Sequence, residues 1–498
     1  MWAFAGGVGP GRVWSRRDRA GHRAWAGNGE QVFKDKLDYI VAGLKECQDA
    51  WAARVGQGGA SAPYYTCHKI MRGLLDAHTL AGNATALAVA RGMGEWVHSR
   101  LGHLPRAQLD RMWSLYIAGE YGGMNEIMAD LHALTGNPTF LETARCFDNT
   151  ALLADCVAGL DSLDGRHANQ HIPQFLGYLR LFEESGETRY RTAAANFFDM
   201  VVPHRTYAHG GTGQGEIFRK RDVIAGSIVN TTNAETCAAY NMMKLARGLF
   251  FHTPHARYLD HHEKTLVNQI LGSRRDANST EDPLVTYMVP VGPGVRRGYG
   301  NIGTCCGGTG LENHTKFQDT IYFRSPADDT LYVNLFIAST LRWDSRGVTV
   351  TQTGDFPRTD TSTLTVTGSG RFDLRLRVPS WAALTVTLNG SPCTTTPGAD
   401  GYASILRTWR TGDRVELRFP YRLRTTPTVD DQSLQSLSYG PLALIGKSSR
   451  TDTLPIPGDP VAGATPGPRP LTFTVNGTLF EPFHLADTNP YHAYFRRV

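Results

Sequence analysis

Leu134-Thr135-Gly136-Asn137, followed by Leu141 and Ala144, is the stretch on which the fold turns. An apolar helix runs into glycine, which takes the left-handed conformation that ends helices. It restarts after asparagine, whose side chain caps the next first turn. The unit recurs: Leu80-Ala81-Gly82-Asn83 precedes Leu87 and Ala90, Glu184-Ser185-Gly186-Glu187 precedes Tyr190 and Ala193, and Phe251-His252-Thr253-Pro254 precedes Tyr258 and Leu259. These turns lie roughly 50–70 residues apart, as in a series of α-hairpins. Such a series builds an open solenoid or closes into an α/α toroid. The polar, glycine-rich segments between helices favour the toroid, whose loops gather over one central pit.

Working outward, apolar residues keep helical spacing from about residue 29 to 270, as in Leu37, Ile40, Val41, Leu44 and Ile70, Leu74, Leu75. Residues 1–29 hold Trp, Gly and Arg without an apolar run of signal-peptide length and read as irregular chain. Near residue 320 the texture changes to period-two alternation in 331–337, 348–351, 364–367, 372–378, 384–388 and 415–419, separated by Gly, Pro, Asn and Asp turns, a β-sandwich signature. Residues 455–470 read as a Pro/Gly-rich connector and 471–498 as strands or a strap returning to the body. The expectation is a multidomain α and β protein: an irregular 1–29, a helical 30–320 and a β-sandwich region 321–498.

Composition narrows the function. Among 498 residues, 51 basic and 46 acidic side chains leave +5, with no Lys/Arg block, which argues against nucleic acid as a partner. The absence of an apolar run of about 18 residues argues against a membrane. Eight cysteines are too sparse for a disulfide-stapled domain, and the adjacent Cys305 and Cys306 are poorly placed to bridge each other, so they read as a reduced pair.

Glu235-Thr236-Cys237 together with Cys305-Cys306 supplies one oxygen and three sulfur donors, the number a tetrahedral Zn²⁺ takes. From spacing alone, four unconnected buried groups are an equal reading. A metal-held thiolate at the floor of a pit is also a nucleophile, and it needs a proton donor. Glu216, closing Gly210-Gly211-Thr212-Gly213-Gln214-Gly215, is the best candidate; this loop lacks the Gly-Lys-Ser/Thr ending of a phosphate cradle. His68, Asn125 with Glu126, and His167 with Asn169 and Gln170 interrupt apolar patterns. Singly, each is more often a core or capping group than a ligand; joined by Trp113, Tyr116 and Tyr121, they suit a sugar ring.

The ordered set of motifs resembles the β-L-arabinofuranosidase glycoside hydrolases: Tyr-Tyr-Thr-Cys-His-Lys-Ile-Met (64–71), Glu-Tyr-Gly-Gly-Met-Asn-Glu (120–126), Leu-Asp-Gly-Arg-His-Ala-Asn-Gln-His-Ile-Pro (163–173), Gly-Gly-Thr-Gly-Gln-Gly-Glu (210–216), Glu-Thr-Cys (235–237) and Cys-Cys-Gly-Gly-Thr-Gly-Leu-Glu-Asn-His (305–314). The resemblance implies an (α/α)6 barrel followed by β-sandwich modules. It also implies a retaining glycosidase with Cys305 as nucleophile, Glu216 as acid/base, and Zn²⁺ held by Glu235, Cys237, Cys305 and Cys306. His68, His167, Glu263 and Tyr287 match pocket positions, and the implied partner is an oligosaccharide or polysaccharide containing L-arabinofuranose. Two other readings stand beside this one: a polysaccharide lyase on the same toroid, and a non-catalytic carbohydrate-binding relative. A homodimer and either a cytoplasmic or a secreted location are left open by the sequence.

Overall fold

The computed structural model describes residues 25–52, 63–115, 120–228, 231–275, 284–300 and 303–498. A helical turn at 25–28, where the sequence reading had irregular chain, precedes α1 (Gln31–Ala52); residues 1–24 lie outside the described part. There follow α2 (Pro63–Ala81) and α3 (Ala84–Leu101), the short α4 (Arg106–Ser114), α5 (Met124–Thr135) and α6 (Pro138–Cys146), and the short α7 (Thr150–Val157). Next come α8 (Ala168–Ser185) and α9 (Thr188–Arg205), α10 (Thr236–His252) and α11 (Ala256–Thr265), and finally α12 (Cys305–Asn313).

Each recurring motif is the corner of one hairpin. Gly136 and Gly186 stand in the left-handed conformation at φ 69° and 73°, and their N–H groups donate to the carbonyls of His132 and Phe182, closing α5 and α8. Asn83 and Asn137 then cap α3 and α6 by accepting from the N–H groups of Ala86 and Thr139. The outcome is two layers. Helices α2, α5, α8, α10 and α12 pack each on the next, and α3, α6, α9 and α11 each lie against the inner helix before them. The inner helices are buried almost all round, α8 from Ala168 to Leu179 without a break, so their polar side chains must find partners inside the protein.

The β-region opens with two facing sheets. One orders its strands Ser391–Cys393, Thr385–Leu388, Arg414–Arg418, Thr361–Thr367, Val348–Thr353 and Ser339–Trp343; the other holds Tyr402–Trp409, Gly370–Arg377, Thr330–Val333 and Tyr322–Arg324. Alternate residues such as Val348, Val350, Leu364, Val366, Leu374 and Leu376 point inward to Trp343, Phe372 and Trp409. A third, nine-stranded sheet takes up the C-terminal chain. The 455–470 stretch is not a bare connector: Leu454–Ile456 and Ala464–Pro466 are strands, and Phe495 pairs with Gln435 on one side and Leu454 on the other. No helix of the described residues is long and apolar enough to cross a membrane.

Helical and β-regions are joined by charge as well as by packing. Arg377, fully buried, donates to Asp260 of α11 (2.6 Å), to Glu263 and to the carbonyl of Asn334 (2.7 Å), while Trp381 donates to the other oxygen of Glu263 (2.7 Å). Removing one partner of such a pair strands the other charge in a dry site. Arg377→Met is therefore expected to lower the unfolding free energy by about 3–5 kcal/mol, measured by urea denaturation.

Candidate active site

Three chain segments are sewn side by side before any side chain is considered. The N–H of Ala234 donates to the carbonyl of Gly213 (2.9 Å), that of Gly215 to Thr232 (2.8 Å), that of Thr236 to Tyr287 (2.9 Å) and that of Val289 to Ala234 (3.1 Å). Glu216, Glu235 and Tyr287 thus hang from neighbouring backbones. The glycines make this possible: a Cβ on Gly211 would stand 1.9 Å from Gln269 Oε1. Glu216 itself is held at φ 64° and Ala234, just before Glu235, at φ 56°, left-handed values that cost free energy in residues other than glycine.

Glu235 caps the start of α10, one turn of which carries Cys237; Cys305 and Cys306 open α12, which packs on α10. Thr304 holds that helix start in place, its hydroxyl accepting from the N–H of Gly307 (3.0 Å). One oxygen of Glu235 and the three sulfurs all lie within 4.8 Å of one another. Cys306 Sγ is 3.2 Å from Cys237 Sγ and 3.5 Å from Glu235 Oε1. Cys237 and Cys306 are buried; Cys305 alone of the three keeps some exposure.

The donor set fits a metal ion. Glu235 is 2% exposed and its Oε2 has no hydrogen-bond partner. Burial first, then the charges of Cys305 and Glu216, push its carboxyl well above the usual range. A cation among these groups reverses that penalty, since a carboxylate and thiolates in a dry pocket are its natural ligands. Four donors around one tetrahedral ion stand roughly 3.6–3.8 Å apart, comparable to the spacings here.

Glu216 sits beside this cluster. Tyr287 donates to its Oε1 (2.5 Å), and the same phenol oxygen lies 3.6 Å from Cys305 Sγ. His167 Nε2 stands 3.0 Å from Glu216 Oε2. Because His167 Nδ1 accepts from the N–H of Gln170 as the cap of α8 (3.3 Å), the ring proton belongs on Nε2, aimed at the carboxylate. This bond, more than that from Tyr287, holds the Glu216 carboxyl below its ordinary range against the opposing effect of burial.

The remaining residues singled out in the sequence divide. His68 and Glu126 meet over Gly123, whose Cβ would be 3.0 Å from His68 Nε2 and 3.1 Å from Glu126 Oε2. His167 and Gln170 share the wall of a cavity of about 380 Å³ with Trp113, Arg166 and His171. Asn125 is fully buried and ties α5 to α8 through the carbonyl of Gln174 (2.9 Å). Glu263 spends both oxygens on Arg377 and Trp381, because a carboxylate buried at a domain junction needs compensation there. Trp113 and Tyr121 pack with Tyr64 and Phe147 as an aromatic cluster from which Trp113 also reaches the cavity beside His167, and Tyr116 lies outside the described residues. The sequence reading missed Thr309, whose hydroxyl is 3.0 Å from Cys237 Sγ. Its position three residues after Cys306, on the same helical face, was the available signal.

A helical assembly that brings a carboxyl group and a partly exposed thiol onto one phenol, followed by β-sheets, is the arrangement to be placed in a family. The comparisons place it. Residues 20–319 match the family model described as β-L-arabinofuranosidase, GH127 catalytic domain, and 330–421 match that of the GH127 middle domain. The chain belongs to the GH127 β-L-arabinofuranosidase family of glycoside hydrolases. Among solved structures it is similar to a GH127 β-arabinofuranosidase (18% identity, TM-score 0.78, 100% of this chain and 89% of that one) and to a GH127 β-L-arabinofuranosidase from Geobacillus stearothermophilus T6 (16%, 0.73, 97% and 90%). At these identities the likeness is one of fold. No curated protein matches the sequence.

The His167 bond predicts a pH-dependent effect. Since the Glu216 carboxyl is depressed in the folded state, its contribution to stability is present above the ordinary carboxylate value and is lost as pH falls through the folded one. The destabilisation caused by His167→Ala, followed by thermal unfolding, is expected to be largest near neutral pH and to shrink as pH falls through the folded-state value of Glu216.

Proposed function

We propose that this protein is a retaining glycosidase that releases L-arabinofuranose from β-L-arabinofuranosides or arabinose-bearing glycans, with Cys305 as nucleophile, Glu216 as acid/base, and Zn²⁺ held by Glu235, Cys237, Cys305 and Cys306. The observation that carries the reading is the single phenol shared by the two reacting groups. Through Tyr287 the Cys305 sulfur and the nearer Glu216 oxygen stand no more than about 6 Å apart. Retaining pairs of carboxylates stand about 5–5.5 Å apart, whereas inverting pairs leave about 6.5–9.5 Å for a water molecule. Bound Zn²⁺ keeps sulfur as the thiolate at neutral pH and makes it a better leaving group.

In the first step Cys305 sulfur bonds to the anomeric carbon as the glycosidic C–O bond breaks, and the departing oxygen takes the proton of Glu216. In the second, Glu216 takes a proton from water, whose oxygen displaces the sulfur. His167 and Tyr287 favour the carboxylate of Glu216, the form that acts as base in the second step; the Cys305 charge, which raises the affinity of Glu216 for the proton it gives in the first, is the weaker influence and is gone once sulfur is glycosylated. Burial keeps the Tyr287 hydroxyl protonated, so it remains a donor throughout.

Cys305→Ser and Glu216→Gln should each lower turnover of an aryl β-L-arabinofuranoside by at least about 10³-fold with unfolding temperature little changed; turnover within a few-fold of wild type would refute the assignment. Purified protein should carry near one zinc per chain by elemental analysis, lost in Cys237→Ala. Release of an unsaturated, ultraviolet-absorbing product in place of arabinose would identify a lyase instead.

A further inference from the structure

A cleft of about 610 Å³ lies away from the cysteine cluster, between α11, the chain that follows α9, and the strands Leu423–Pro427 and Leu434–Tyr439 of the last sheet. One face of α11 lines it, with Arg257, Asp260, His261 and Lys264 at helical intervals of three and four. Several charges in the wall are already matched. Arg257 pairs with Asp199, and both Asp260 and Glu263 with Arg377.

Three groups are not. Lys264, a solvent-exposed side chain in the lining, makes no ion pair among the described residues. Arg424, on the opposite wall, donates from Nη2 to the carbonyl of Gly440 (3.0 Å), but its Nε is buried without a partner. His261 is 4% exposed with Nε2 unpartnered, and burial, then Lys264, keeps it neutral. The buried Arg424 Nε and His261 Nε2 are left without partners at a cost, and an anion entering the cleft beside Lys264 relieves it.

The rest of the lining says what kind of anion. Thr426 and Ser438, which share a sheet face with Arg424, and the aromatic side chain of Trp381 belong to the lining, which suits a polyol ring. The volume is far more than a small inorganic oxyanion fills and falls in the range of sites for ring-sized ligands. We propose that this cleft is a second carbohydrate site that takes an acidic sugar unit, its carboxylate between Lys264 and Arg424 and its ring against Trp381 and the hydroxyl-bearing strands. It would anchor a charged stretch of a glycan, and it stands apart from the reaction assigned to Cys305.

Calorimetric titration of the full chain with the trimer of galacturonic acid, with the neutral galactose trimer, and with inorganic phosphate alone tests this. Saturable binding of the uronate trimer, with the neutral trimer and phosphate each at least about tenfold weaker, is the expected result. Lys264→Met and Arg424→Gln should each weaken uronate binding by about tenfold or more, Lys264→Arg should retain it, and Lys264→Met should hydrolyse a small aryl arabinofuranoside as wild type does. Failure of the uronate trimer to saturate, phosphate binding as tightly as the trimer, or uronate binding indifferent to both Lys264→Met and Arg424→Gln would overturn the proposal.

Discussion

Glu235 is a carboxylate enclosed in a helical body, one oxygen turned to sulfur and the other with no hydrogen bond, and the site is arranged around keeping it there. An isolated charge in such a place is expensive, and the sulfurs do not offset it, since a charge on Cys305 adds to the cost. Packing the first turn of α12 against the start of α10 puts Cys237, Cys305 and Cys306 around that carboxylate, a donor set in which a cation would offset the charge. The same arrangement accounts for the strained backbone at Ala234, because the pairing of Ala234 with both Gly213 and Val289 fixes where α10 begins.

Around this cluster the polar groups work as one unit. Tyr287 touches both the acid/base candidate and the exposed thiol, and His167, locked as the cap of α8, turns its proton to Glu216. A helix cap thereby becomes part of the electrostatics of the site. The β-region contributes at a distance: Arg377 grips α11 through Asp260 and Glu263, and Asn268, just beyond α11, holds the last sheet by accepting from Ala443 N–H and donating to the Pro441 carbonyl. The sheets brace the helical layers from outside.

Much of this was legible in local patterns. The Gly-Asn corners announced the hairpins because helix termination and capping depend on a few adjacent residues, and Gly136 and Asn137 do what their chemistry dictates. The period-two strands after residue 320 declared themselves for the same reason. Partnership over long sequence distance was not legible. Glu263 has no neighbour in sequence to reveal Arg377, and Asn125 none to reveal Gln174. Trp113 and Tyr121 are drawn into one aromatic cluster with Phe147, and Trp113 alone of the two lines the cavity beside His167.

The sequence by itself determined the succession of helical corners, the change to strands, and a donor set of one carboxylate and three thiols, since each depends on residue type and short spacing. Only the tertiary structure decided that Glu235 and Cys237 meet Cys305 and Cys306 across roughly 70 residues of chain, that Tyr287 stands between thiol and carboxylate, and that Cys305 is the sulfur left accessible. The physical reason is that these relations rest on which buried charges can be compensated in a packed interior, and compensation there comes from groups close in space, whatever their separation along the chain.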